Sequence, residues 1–335
     1  MKSILINDTY GLDHLALYDQ EDPVLGPHDV LVTSQAFSLN YLDLLVANGM
    51  FKNPVPHVIG SDVAGVVGAV GNQVKSFAVG DLVVSHYTQT WIDGAIEKDY
   101  LQSRLGVETG GIFSELVCLP ETSWVPMPEH LTFEEASTLT IAGLTAWESL
   151  VNIGELNDDK TVYLQGSGGV SIAALQIAKA AGAQVIITTG SAAKAERLKA
   201  LGADHVLNYS DEDIVDRVLQ ITNGRGVDIA LEVVGSQLNE TISLMSFKGR
   251  VALVGFIGGT ESAVDVTQVI TKNLKLQGVQ VGSRDSFVKM NAFLEQHEIH
   301  PVVDQTYDFK DVQTALKALE SGRHFGKVVL NGKWK

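Results

Sequence analysis

A single cysteine, Cys118, stands among the 335 residues, which excludes an internal disulfide and any multi-cysteine zinc cluster. Its place in the strand-like SELVCLP predicts a buried apolar side chain rather than a reactive thiol. Cations are scarce too, with 24 Lys and Arg against 40 Asp and Glu and a net charge of −16. That field repels phosphate backbones and anionic lipid, and no basic run overcomes it locally, so neither nucleic acid nor a membrane is expected as a partner. No uninterrupted apolar stretch approaches membrane-spanning length. Met1–Asn7 has one lysine and only a short apolar run before Asp8, too little for a signal-peptide core. A cytoplasmic protein that handles small molecules is expected. Repeats and low-complexity segments are also missing. What is present is apolar material, 45% of the residues, enough for two cores in a chain of this length.

Residues 1–122 are β-rich and irregular, with strand patterns at 3–6, 30–36, 63–70 and 82–85 broken by Gly and Pro. After about residue 130, strands and helices alternate. VYLQ, QVIITT, HVLNY, DIALEVV, GRVALVGF and LKLQGVQV read as strands, and helical segments fall at 192–201, 212–221 and near 237–246. Six strands separated by helices predict an α/β unit with a parallel, doubly wound sheet. From Arg284 the pattern changes to a helix at 286–296, the strand-like VVDQTYDF, a helix at 310–321 and a last strand, KVVLNG. This tail is expected to return to the first domain. Residues 1–123 and 283–335 then form one domain, and 124–282 an inserted nucleotide-binding domain.

The most informative stretch is VYLQGSGGVSIAALQIAKAAG at 162–182, which reads as strand, tight turn and long helix. Gly166 and Gly168 permit backbone conformations closed to other residues, and an Ala-rich helix follows over 172–181. The N–H groups of Gly166, Ser167, Gly168, Gly169 and Val170, with the positive end of the helix dipole, would face a pyrophosphate. Ser171 stands where the third glycine of G-x-G-x-x-G would be. The strand QVIITT at 184–189 follows the helix and closes a βαβ unit of dinucleotide-binding length. NAD-preferring sites of this kind end the second strand in Asp or Glu, which bonds the ribose hydroxyls and repels a 2′-phosphate. Here that position is Thr189, followed by Gly190, Ser191 and Lys194, a set that leaves room for a phosphate and supplies a hydroxyl, an amide and a cation. NADPH is the expected cofactor. The alternative takes Lys194 and Arg197 as solvated helix charges.

Seven motifs in order, SLNYLDLLVANGMF (38–51), HVIGSDVAGVVGAVG (57–71), VGDLVV (79–84), AGLTAW (142–147), QGSGGVS (165–171), KALGADHVLNY (199–209) and FGKVVL (325–330), resemble the medium-chain dehydrogenase/reductase superfamily over essentially the whole chain. The resemblance implies a GroES-like β-barrel domain plus a Rossmann domain, an active site in the cleft between them, and hydride transfer to or from a nicotinamide. Zinc-dependent alcohol dehydrogenases of this superfamily hold the metal with a cysteine where this chain has Asn40, a histidine at Ser61, a nearby acid at Asp62 and a cysteine at Ile141. Asn and Ile cannot replace thiolates, so no catalytic zinc is expected. The four-cysteine structural lobe is replaced by residues 88–106. His57 and His86 lack partners at a metal-binding spacing. The pattern Asn40, Asp43 and GSDVAG is closest to zinc-less quinone oxidoreductases, in which a tyrosine matching Tyr209 lies beside the 2′-phosphate.

Hydride transfer to a quinone or conjugated carbonyl requires mainly that the reacting carbons be held close and the acceptor oxygen polarised. On this resemblance Asn40 donates to the acceptor oxygen and Asp43 orders the site or relays a proton. Asp43 reads equally as a residue of the helix start. Tyr41 is a further candidate acid. Val234, Gly255, Phe256 and Ile257 end strands where backbone groups could hold the carboxamide and apolar side chains wall off a ring face. Trp91 and Trp147 read as packing residues. Two other functions stay open: a zinc-free alcohol dehydrogenase or carbonyl reductase, favoured by AGLTAW and residues 88–106, and a non-enzymatic nucleotide-binding structural or sensor protein. LKLQGVQV, as the last strand of its sheet, is expected to pair with its twofold mate in a homodimer.

Overall fold

Alternating apolar residues in the first part of the chain build a largely antiparallel sheet. In the computed structural model, which describes residues 1–332, its strand order is Val303–Asp308, Lys327–Asn331, Asp29–Ser38, Asp62–Val70, Leu82–Ser85 and Trp124–Pro126, with Leu116–Pro120 also paired to Asp29–Ser38. Val32, Phe37, Val63, Val84, Val328 and Leu330 are fully buried on these strands, and Phe37 meets Phe113 edge-on at 5.2 Å. Each such side chain contributes about 1.5–3 kcal/mol of burial.

The chain forms two compact units, Met1–Leu144 with the segment from Val281 onward, and Thr145–Gln280. Sequence reading set the first boundary at 123/124, about twenty residues earlier. The segment between belongs to the first unit for a physical reason: Trp124–Pro126 pairs antiparallel with Leu82–Ser85, and Phe133–Ser137 packs on the strands Asp29–Ser38 and Asp62–Val70. The returning tail was expected over 283–335, of which 333–335 lie outside the described residues.

The second unit holds a six-stranded parallel sheet in the order His205–Asn208, Gln184–Thr189, Thr161–Gln165, Val227–Glu232, Met245–Leu253, Lys275–Gly278. This is the predicted doubly wound α/β sheet. Its central strands are buried along their length, which explains their continuous apolar runs. Tyr163, Ile186, Leu207, Val218, Val227, Leu244 and Val251 form one core cluster. Among the described residues no helix is long and apolar enough to cross a membrane.

Two local expectations are corrected. Cys118 is half-buried rather than buried, on the strand Leu116–Pro120, with burial raising its thiol pKa. The outermost strand is Lys275–Gly278, shorter than 274–281, and beyond it the Val279 N–H turns inward to the Leu253 carbonyl at 3.0 Å.

Candidate functional site

In the second unit the strand Thr161–Gln165 ends in a turn at Gly166, whose φ of +72° is left-handed and favours glycine. The helix Gly169–Ala180 starts from Gly168 without a side-chain cap. A Cβ at Gly166 or Gly168 would meet nothing within 4 Å, so the turn faces open space. Ser167 is buried, and Gly169 and Val170 open the first helical turn. Backbone donors left without a side-chain cap at a helix start fit a phosphate. Ser171, in place of the third glycine, sends its hydroxyl back to the Gln165 carbonyl at 2.7 Å and ties helix to strand.

The parallel pairing of Thr189 with Asn208 carries Thr189, Gly190 and Ser191 beside Tyr209. The Tyr209 N–H donates to the Thr189 carbonyl at 3.3 Å, and its ring lies over Gly190, where an added Cβ would come within 2.5 Å of the phenolic oxygen. Ser191 caps the helix Ala192–Ala200 by accepting the Lys194 N–H at 3.4 Å, and Tyr209 itself is exposed. The structure therefore brings together the residues that sequence reading grouped around the 2′-phosphate.

Val234, Gly255, Phe256 and Ile257 also converge, through the neighbouring strands Val227–Glu232 and Met245–Leu253. Three of their backbone donors are already engaged: Val234 N–H with Glu232 Oε1 at 3.0 Å, Gly255 N–H with the Glu232 carbonyl at 3.2 Å, and Ile257 N–H with the Val233 carbonyl at 3.4 Å. The side chains of Phe256 and Ile257 are exposed, as an apolar wall requires.

In the first unit the site grows from the end of one strand. Ser38 pairs with Asp62 on one side and with Val329 on the other, so Asp29–Ser38 sets the following Asn40 and Asp43 between Asp62 and Lys327. Asn40 precedes the helix Tyr41–Ala47, and its N–H donates to Asp43 Oδ2 at 2.7 Å. Asp43 thus does serve the helix start. Lys327 donates to the Leu39 carbonyl and to Asn40 Oδ1, both at 2.6 Å, and Ser61 Oγ donates to Asp62 Oδ1 at 2.7 Å. Asn40, Asp43, Ser61, Asp62 and Lys327 are all buried.

Two carboxyls and one ammonium share this low-dielectric space. Burial pushes Asp43 up to about 7, with Asp62 adding repulsion while the Asn40 N–H and Lys327 pull it back. Burial also raises Asp62, against Lys327, Asn40 and Ser61, and lowers Lys327. Lysine only donates, so the Asn40 oxygen must face it, and the buried Nδ2 is left on the side of the Asp62 carboxylate, which it helps to hold down without a close hydrogen bond. Tyr41 stands apart, 46% exposed on the first helical turn.

Sequence reading missed Lys327 and Glu232. Each had one local signal: a lone cation in FGKVVL, and an acid ending the apolar DIALEVV. His57 and His86 bond separate carbonyls, of Gly106 at 3.1 Å and Gly282 at 3.2 Å, and burial lowers His86 to about 4. Trp91 and Trp147 are both buried, and Trp91 stacks on Tyr100.

Two family models match: one described as zinc-binding dehydrogenase over residues 169–296, the other as alcohol dehydrogenase GroES-like domain over 26–129. A zinc-type alcohol dehydrogenase-like protein of Schizosaccharomyces pombe is 36% identical over 341 residues, 98% of this chain and 99% of that protein. A crystal structure of a candidate alcohol dehydrogenase from Sinorhizobium meliloti has a TM-score of 0.93 at 38% identity, with 98% of each chain covered. Quinone oxidoreductase of Escherichia coli, solved in complex with NADPH, has a TM-score of 0.84 at 25% identity, with 99% of this chain and 100% of that one covered.

Proposed function

Because the chain belongs to the medium-chain dehydrogenase/reductase superfamily, in the zinc-less branch that joins quinone oxidoreductases to alcohol dehydrogenase-like proteins, we propose that it is a zinc-independent, NADPH-dependent oxidoreductase that reduces a quinone or an α,β-unsaturated carbonyl. The observation that carries this reading is the open glycine turn before the uncapped helix Gly169–Ala180. The enzyme is taken to act on a small molecule in the cytoplasm, without nucleic-acid or membrane partners.

Bound NADPH supplies the hydride. The turn 166–170 holds its pyrophosphate, and Thr189, Gly190, Ser191, Lys194 and Tyr209 surround its 2′-phosphate. Asn40 Nδ2 donates to the acceptor oxygen. Asp43, with Oδ2 accepting the Asn40 N–H, keeps a proton on its other oxygen and relays it to the reduced acceptor. Zinc does not fit here: Asn40 Oδ1 is bonded to the Lys327 ammonium, Asp62 accepts from Ser61, and Ile141 offers no ligand atom.

A panel of quinones, enones, aldehydes and alcohols, run with NADPH and NADH and with zinc determined on the same sample, tests the reading. NADPH consumption with quinones or enones and no stoichiometric zinc is expected. Alcohol oxidation lost together with one equivalent of zinc would favour the alcohol dehydrogenase reading, which the Sinorhizobium likeness supports. Absence of turnover with every acceptor would favour a binding protein.

If Asp43 relays the proton, it must carry one. Its pKa is pushed up to about 7, so kcat/KM for acceptor reduction should fall about tenfold per pH unit above 7. In Asp43→Asn that limb should disappear at a lower, flat rate. A limb that persists in the variant would take the proton away from Asp43.

The edge strand Lys275–Gly278 and the exposed Val266 and Ile270 of the adjoining helix support a homodimer formed through this edge. Val279 points its N–H inward, and strand groups alternate sides, so Gly278 offers its N–H outward. Gly278→Pro should shift the protein towards monomer in light scattering. A wild-type protein that is monomeric at micromolar concentration would refute the dimer.

A further inference from the structure

The strand Val227–Glu232 ends in an acid that is 1% exposed, yet all the donors around it are neutral. Glu232 Oε1 accepts from Val234 N–H at 3.0 Å and Gly235 N–H at 2.7 Å. Oε2 accepts from Gln165 Nε2 at 3.1 Å and from the Thr241 hydroxyl. Gln165 returns the contact, its Oε1 accepting the Val233 N–H at 3.0 Å. A buried carboxylate is costly to desolvate, and an apolar strand end would avoid that cost. What an acid adds is two acceptor atoms that take four donors at once.

Those donors come from places that matter to one site. Gln165 leads directly into the glycine turn at 166, and Ser171 bonds its carbonyl. The loop 233–235 carries the second strand end: Gly258 N–H donates to the Val234 carbonyl at 2.8 Å, so residues 255–258 lean on it. Gly235 has φ +83° and sits against the Gly259 carbonyl, which leaves the loop no room to shift alone. The cluster around Thr189, Ser191 and Tyr209 is held by other contacts.

We propose that Glu232 is a positioning residue of the cofactor site, its carboxylate locking the glycine turn and the loop 233–235 into the one register that fits the pyrophosphate and nicotinamide, while the adenosine end is built independently. The proposal rests on the NADPH reading above. Glu232→Gln keeps size and shape, and its oxygen can stay on the Val234 and Gly235 N–H groups, but its NH₂ then meets the Gln165 amide NH₂. The Thr241 hydroxyl can accept instead, whereas the Gln165 bond is lost and the tie between the two loops weakens.

Calorimetric titration of the full-length protein with NADPH and with adenosine 2′-monophosphate, which lacks both the pyrophosphate and the nicotinamide half, tests this. Glu232→Gln should bind NADPH about ten- to a hundredfold more weakly and the monophosphate within about twofold of wild type. Gln165→Met, which removes only the bridge to the glycine turn, should show the same selectivity at about three- to tenfold, and decides alone if Glu232→Gln does not fold. Equal weakening of both ligands would reduce Glu232 to a general structural role, and unchanged NADPH binding would overturn the proposal. Wild-type protein that binds neither ligand would instead defeat the cofactor reading itself.

Discussion

Replacing Lys327 by Met should destabilise the protein by about 3–5 kcal/mol at pH 8, because Asp43 and Asp62 would remain buried without their cation. That is a large part of the whole stability of a domain. The pH dependence separates this electrostatic penalty from a packing defect. Without the ammonium both carboxyls are raised further, so the native state holds protons that the unfolded chain, with ordinary carboxyls, releases above about pH 4. Protons then favour the native variant, and its deficit should shrink as the pH falls from 8 to 5. Urea unfolding at both pH values measures this. A deficit under about 1 kcal/mol at pH 8, the range of an exposed ion pair, or one that does not change with pH, would show that the cluster is not held by charge.

Lys194→Ala should weaken NADPH about ten- to a hundredfold and leave NADH nearly unchanged, since a hydrogen bond to a charged group contributes about 1.5–3 kcal/mol. The geometry behind this is the meeting of Gly190, the Ser191 cap and Tyr209 at the end of the strand Gln184–Thr189. Titrations of both nucleotides decide it. Equal losses would assign Lys194 to the helix alone. Unchanged affinities would remove it from the site.

Much of the second unit was legible because its signals are local. A buried parallel strand must be apolar along its length, a helix must follow before the next strand can pair, and the turn at Gly166 needs a residue that tolerates positive φ. VYLQ, QVIITT, HVLNY and DIALEVV therefore announced both their type and their order. Thr189, Gly190, Ser191 and Lys194 were legible as neighbours in the chain, Tyr209 joined them only through the resemblance to quinone oxidoreductases, and the pairing of Thr189 with Asn208 brings the tyrosine beside Gly190.

The first unit shows where local signals stop. Nothing near Asn40 in the chain indicates that a lysine 287 positions away bonds its side-chain oxygen. Only the antiparallel register, with Ser38 between Asp62 and Val329, brings those groups together. Burial acts the same way: Asp43 at a helix start is an ordinary capping residue until the fold closes over it and lifts its pKa. The sequence by itself determined the family, the parallel sheet of the second unit and the glycine turn, because their signals lie in short motifs of neighbouring residues. Tertiary structure alone decided the charge balance around Lys327, the four bonds on Glu232 and the half-exposure of Cys118. Each of those depends on which distant segments exclude water from a group, and that is settled only when the strands have paired.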